Sequence, residues 1–95
     1  MIFAWDENKN RINRRKHGVS FELAALVFED PGAVSHVDRV VVDDEERWHT
    51  IGWAAGIAIL LVVHTVEEEH GDETIRIISA RKAHPRERAF YASHA

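Results

Sequence analysis

Residues 57–63 read IAILLVV, seven apolar side chains without a break. A strand with one wet face alternates apolar and polar residues, so an unbroken run of this length marks a central strand covered on both faces. It is far shorter than the roughly 20 apolar residues a helix needs to cross a bilayer. The chain must therefore build a sheet around this segment. Ala55-Gly56 just before it is a tight connection, which predicts a hairpin between a strand over 46–54 and one over 57–66. Further strands are expected at 2–5, at 33–37 with an extension toward Val42, and at 73–79. The stretch 67–72 reads as a charged loop.

Helices occupy the rest. Asp6 is a good N-cap for a helix running to His17, with Gly18 as its stop. Ile12 is its one large apolar residue. Asp6, Asn10, Asn13 and His17 fall on one helical stripe, flanked by Lys9 and Lys16. Such a stripe either faces water or forms a hydrogen-bonded seam against a partner or the rest of the fold. Ser20 caps a second, broadly apolar helix that Pro31-Gly32 ends. A last helix begins near His84-Pro85, where proline suits the first helical position. With 95 residues the chain is expected to be one domain, 1–95. The element order gives an α+β fold with a small, mainly antiparallel sheet.

Charge is unevenly spread. The net charge is −4 at pH 7, but 1–18 carries +3, 19–75 carries −11 and 76–95 carries +4. If the two ends meet, they make a basic face on an acidic body, able to steer a phosphate backbone. No cysteine is present, which removes disulfides, thiolate metal sites and cysteine nucleophiles. The seven histidines show no close ligand spacing such as HxH or HxxxH, so neither a metal site nor a cofactor is expected. The N-terminus does not read as a signal peptide, and a soluble cytoplasmic protein is expected.

Several ordered stretches carry a family resemblance. They are Trp5-Asp6, Lys9-Asn10, Asn13 and Lys16-His17-Gly18-Val19; Phe21, Ala24 and Val27 through Pro31; Glu46-Arg47 with Ile51-Gly52; Leu61 through Thr65; and Arg76 through Ala83 with Glu87-Arg88 and Tyr91. In this order and spacing the sequence resembles the BrnT toxins of bacterial type II toxin–antitoxin pairs. The resemblance implies a RelE-like fold with helices packed on one face of the sheet. It implies RNA cleavage that inhibits translation, and neutralisation by a cognate BrnA-type antitoxin whose ribbon–helix–helix domain binds DNA. DNA would thus be reached only through the antitoxin, with no membrane involved. The alternative is a catalytically weak toxin-like binding module that forms a transcription-repressing complex with that antitoxin.

A metal-independent endoribonuclease needs a base for the 2′-hydroxyl, cations for the phosphorane charge and an acid for the leaving oxygen. The candidates are Arg47, His64, Arg76 and Arg81 for catalysis. Arg76 interrupts an isoleucine-rich strand, and Arg81 lies at its end. His64 titrates near neutrality when unperturbed. Lys16, His17, Lys82, Arg86 and Tyr91 are expected to bind RNA, with Tyr91 stacking on a base. Lys9, Asn10 and Asn13 on the first helix are expected to bind the antitoxin. Each has a plainer reading: Arg76 as half of an ion pair, His64 as a hydrogen-bonded strand end, Tyr91 as a core contact. Trp48 and Trp53, five apart, are expected to face opposite ways.

Overall fold

The apolar run becomes the middle of the molecule. The computed structural model describes residues 1–38 and 45–94. Its strands are β1 (Ile2–Ala4), β2 (Val34–Val37), β3 (Trp48–Ala54), β4 (Ala58–Glu69) and β5 (Asp72–Lys82). Its helices are α1 (Glu7–His17), α2 (Phe21–Ala25), continued by a 3-10 turn at Leu26–Glu29, and α3 (Pro85–His94). The sheet order is β1-β5-β4-β3-β2, so β4 is central, as the run requires. β1 pairs with β5 in parallel and all other pairs are antiparallel. The expected α+β class and mainly antiparallel sheet are observed. The expected extension of β2 toward Val42 lies outside the described residues.

Capping chemistry fixes the helices. The Asp6 carboxylate accepts from the backbone N–H of Asn8 and Lys9. Gly18 closes α1 in the left-handed region, at φ 70°, where glycine is the favoured residue. The Ser20 hydroxyl accepts from Leu23 N at 3.0 Å. Glu87 accepts from His84 N at 2.7 Å, which satisfies a donor ahead of α3.

The sheet has two unlike faces. On the first, Leu60 and Val62 of β4 pack with Val19, Phe21, Ala24, Val27, Ile75, Ile77 and Ala80 beneath α2 and its 3-10 turn. On the second, Ile51 and Leu61 pack with Ala83 and Tyr91, flanked by Val34, Ile59 and Val63. Alternation along β4 makes these opposite faces. The expectation of helices on one face therefore needs correction: α1 and α2 belong to the first face, and α3 packs across the second. The reason is the apolar run itself, because Ile59, Leu61 and Val63 need cover on their own side.

The expected loop over 67–72 is instead paired strand. Glu67, Glu68 and Glu69 stand opposite Thr74, Glu73 and Asp72. His70 and Gly71 turn the chain, with φ 51° and 85°. Ala55 and Gly56 do the same for the β3–β4 hairpin, with φ 52° and 68°. Two successive left-handed residues match the twist of a hairpin, which is why this backbone wins over the poor strand propensity of glutamate. The acidic block is thereby gathered at the tip of one hairpin.

β5 contains the irregularity that matters most. Val63 pairs with Ser79 and His64 with Ile77, which leaves Ile78 as an extra residue. Such a bulge re-phases the side chains beyond it. Arg76 stands opposite Thr65 and Arg81 opposite Leu61, two β4 positions on the same face. Unbroken alternation would have split these arginines between faces.

Candidate functional site: a groove on the second face

The second face carries a groove of about 350 Å³ lined by His36, His49, Ile51, Leu61, Arg86, Glu87 and Phe90. Ile51 and Leu61 make its apolar floor. His36 of β2 and His49 of β3 are directly paired across the strands, with ring centroids 5.4 Å apart. His49 Nε2 stands 3.1 Å from Asp38 Oδ2. α3 supplies the other wall, where Phe90 meets the His36 ring edge-on at 6.2 Å. A concave apolar site with a few convergent polar groups is the common form of a small-ligand or single-nucleotide site.

Arg81 reaches the edge of this groove but is already engaged. It makes a bidentate pair with Glu87, Nη1 to Oε1 at 2.8 Å and Nη2 to Oε2 at 2.9 Å. Hydrogen bonding to Arg81 holds the Glu87 pKa at about 2 and, reciprocally, raises that of the Arg81 guanidinium. The pair pins the start of α3 to the end of β5, which forms one side of the groove. Arg76 is exposed on the same face. Arg86 lines the groove itself. Arg47 lies just before β3; among the described residues, neither its buried Nε nor the buried Thr65 Oγ1 has a hydrogen-bond partner.

His64 does not join the arginines. It sits on the first face, 2% exposed, beside the Phe28 ring, which it meets edge-on at 4.9 Å. Its Nε2 lies 2.7 Å from Thr50 Oγ1, which is 2.7 Å from Ser35 Oγ, and its Nδ1 lies 3.3 Å from the Thr65 carbonyl. Burial pushes its pKa down to about 4, so the ring is neutral at pH 7. This buried, neutral ring lies across the sheet from Arg76 and Arg81, so the four expected catalytic residues do not converge.

Tyr91 is also re-placed. It is 8% exposed, and its hydroxyl donates to Asp30 Oδ2 at 2.7 Å. Asp30 accepts from Trp53 N and Gly32 N as well, so it ties the end of the 3-10 turn to β3 and α3. Gly32 lies tight against this bond, because a Cβ there would stand 3.0 Å from the Tyr91 hydroxyl, which would have to give by a few tenths of an ångström. Tyr91 is thus unavailable to stack on a base; its neighbour Phe90, 39% exposed, faces the groove. Trp48 and Trp53 face opposite ways as expected, although Trp53 remains 42% exposed.

The first helix gives the largest revision. Asn10 and Asn13 are 0% and 6% exposed. Asn10 donates to Glu7 and Glu22 and accepts from Phe21 N at 2.8 Å. Asn13 donates to the carbonyls of Val19 and Ala80 and accepts from Ala80 N at 3.2 Å. One carboxamide thus satisfies both backbone groups of Ala80 beyond the reach of β1. Leaving such buried groups unpaired costs about 1–3 kcal/mol each, so the seam holds α1 in place of the apolar residues it lacks. Asn10 and Asn13 therefore serve the fold and present no surface to a partner; Lys9 and Lys16 remain exposed and His17 is half-buried. Lys82, exposed at the end of β5, stands outside the groove. With α1 on the first side and α3 on the second, the two basic ends do not merge into one face around the groove.

Sequence reasoning passed over His36, His49 and Phe90. The histidines lie in separate strands, and their convergence depends on the β2–β3 register, which no local spacing reveals. Among the described residues, no group of three or more histidine, aspartate or glutamate side chains is arranged to hold a metal ion.

No curated protein matches this chain. Among solved structures it is similar to the crystal structure of the Brucella abortus ribonuclease toxin BrnT. The two are 26% identical over 88% of this chain and 99% of that one, with a TM-score of 0.59. The architecture is thus one already seen in a ribonuclease toxin. The family model described as "Ribonuclease toxin, BrnT, of type II toxin-antitoxin system" matches residues 5–87, and the chain accordingly belongs to the BrnT family of ribonuclease toxins.

Proposed function

We propose that this toxin is a metal-independent endoribonuclease that cleaves RNA in the second-face groove, inhibits translation in the cytoplasm and is neutralised by a cognate BrnA-type antitoxin. The observation that carries this reading is the convergence of His36, His49, Arg86 and Phe90 on one concave, apolar-floored surface. A guanidinium binds a phosphate oxygen pair in its fork geometry and stabilises the charge that builds on phosphorus. Arg86 takes this role, with Arg76 exposed further along β5 on the same face. Phe90 offers an aromatic surface for a base. Arg81 supports the groove through Glu87, and Arg47 contributes its guanidinium at the β3 entrance. The basic side of α1, with exposed Lys9 and Lys16 and half-buried His17, is left to longer RNA or to the antitoxin.

The test is cleavage of a defined RNA by the purified protein in the presence of EDTA. The parent is expected to cut at an unchanged rate with the chelator. Arg86→Glu, checked for folding by circular dichroism, is expected to lose at least about 100-fold, the scale of a lost transition-state cation. A folded Arg86→Glu protein that cuts like the parent would remove the groove from the reaction. Loss of the parent's activity with EDTA would remove metal independence.

A further inference from the structure

We infer that His36 and His49 form the acid–base pair of the cleavage reaction, with Asp38 as the positioning residue of His49. The inference rests on the groove being the site of RNA cleavage. His49 Nε2 faces the Asp38 carboxylate at 3.1 Å, so a neutral His49 turns its N–H toward Asp38 and leaves Nδ1 as the proton acceptor. A carboxylate that holds one imidazole nitrogen fixes both the tautomer and the ring direction. His36 stands directly across the strand pair, 5.4 Å away between centroids. Its other ring neighbour among the described residues is Phe90. Two imidazoles at this spacing, lining one groove with Arg86, can address the two oxygens on either side of a single phosphorus atom.

The step balances without any further reactant. His49 Nδ1 takes the proton of the ribose 2′-hydroxyl. The 2′-oxygen forms a bond to phosphorus, and the bond from phosphorus to the 5′-oxygen breaks. Protonated His36 gives its proton to that leaving oxygen. The products are a 2′,3′-cyclic phosphate and a 5′-hydroxyl end, and nothing is oxidised or reduced. Among the described residues, the titratable and charged groups around the pair are Asp38 after β2, Arg47, whose carbonyl accepts from Asp38 N ahead of β3, His64 of β4, on which His49 acts electrostatically, and Arg86 and the Arg81-held Glu87 from α3; His94 lies one ring further, against Phe90. One histidine must be neutral and the other protonated, so the rate passes through a maximum with pH.

The experiment uses the full chain and an RNA oligonucleotide, alongside a copy with a single 2′-deoxy sugar at the cut site. His36→Ala and His49→Ala are each expected to lose at least about 100-fold in kcat. Each should also lose one limb of the pH profile. Asp38→Asn should lower kcat with KM unchanged, and the 2′-deoxy copy should resist cutting. If folded His36→Ala and His49→Ala keep the parent's rate and profile while Arg86→Glu is inactive, the pair is overturned and the groove stands. If all three cut like the parent, the groove reading falls with it. Cleavage of the 2′-deoxy copy, or 5′-phosphate products, would also overturn the pair.

Discussion

The two faces of the sheet solve the same packing problem with different amounts of cover. The first is closed by α2 and its 3-10 turn, with α1 hydrogen-bonded alongside. Its buried His64 is bonded to Thr50, Asn10 to Phe21 N, and Asn13 to both backbone groups of Ala80. The second is covered by a single helix of ten residues, pinned at one end by Arg81–Glu87 and at the other by Tyr91–Asp30. Between these pins a groove stays open, and the groups that can handle protons and phosphate line it. Burial, more than residue type, has therefore sorted the histidines. His64, enclosed beneath the first face, is kept neutral, while His36 and His49, under a partial roof, stay reachable.

The sharpest test of this contrast uses neighbours on one strand. Leu60 is 0% exposed on the first face and Leu61 is 4% exposed on the second. Leu60→Ala should cost about 4 kcal/mol in urea unfolding, near the upper part of the range for buried leucines, because the closed face cannot collapse around the void. Leu61→Ala should cost about 2 kcal/mol, because its cavity joins an existing groove. Equal losses would show that the faces are packed alike.

Acid should act first on the closed face. The folded His64 pKa is about 4, below its ordinary 6.5. The unfolded chain therefore binds the extra proton between these values. The stabilisation is complete above the ordinary value and is lost as pH falls toward the folded one. At about 1.4 kcal/mol per pH unit the loss is about 3 kcal/mol. His64→Gln should flatten stability across that window. The same slope in parent and variant would mean that His64 is not the group responsible.

The smallest effect belongs to the pin on the open face. The Glu87 pKa is held at about 2, below its ordinary 4.5. Its contribution is therefore full above the ordinary value and disappears as pH falls through the folded one. The Glu87 side chain is 23% exposed and that of Arg81 29%. Solvent thus screens the pair, and about 1 kcal/mol is expected. Glu87→Gln should lower stability by that amount at neutral pH and loosen α3, seen as faster amide exchange at its first turn. Unchanged exchange there would show that the Arg81–Glu87 pair does not hold the start of the helix.

Much of the framework was legible in the chain. The run at 57–63 announced a strand with two covered faces, Asp6, Ser20 and Pro85 announced helix starts, and Gly18 announced a stop. These signals are local, because a cap or a breaker acts within one turn of backbone. The acidic 67–69 segment misled, since glutamates are poor strand formers and only the His70-Gly71 turn and a partner strand override that preference. The Asn10 and Asn13 stripe was visible, but whether it faced a partner or the fold was not.

Residue order on its own was enough to establish that a sheet forms around 57–63, where the helices begin, and a resemblance to ribonuclease toxins. Which side chains share a surface came from the folded chain. Arg76 and Arg81 are five residues apart, an odd spacing that alternation assigns to opposite faces, and the extra residue Ile78 brings them to the same one. His36 and His49 meet only because β2 and β3 pair in the register that sets one opposite the other. His64, equally capable of titration, is removed from solvent in a pocket edged by Phe28. The physical reason is the same in each case: register, bulges and burial are set by pairing between distant segments, and no local pattern of side chains encodes which distant strand will be the partner.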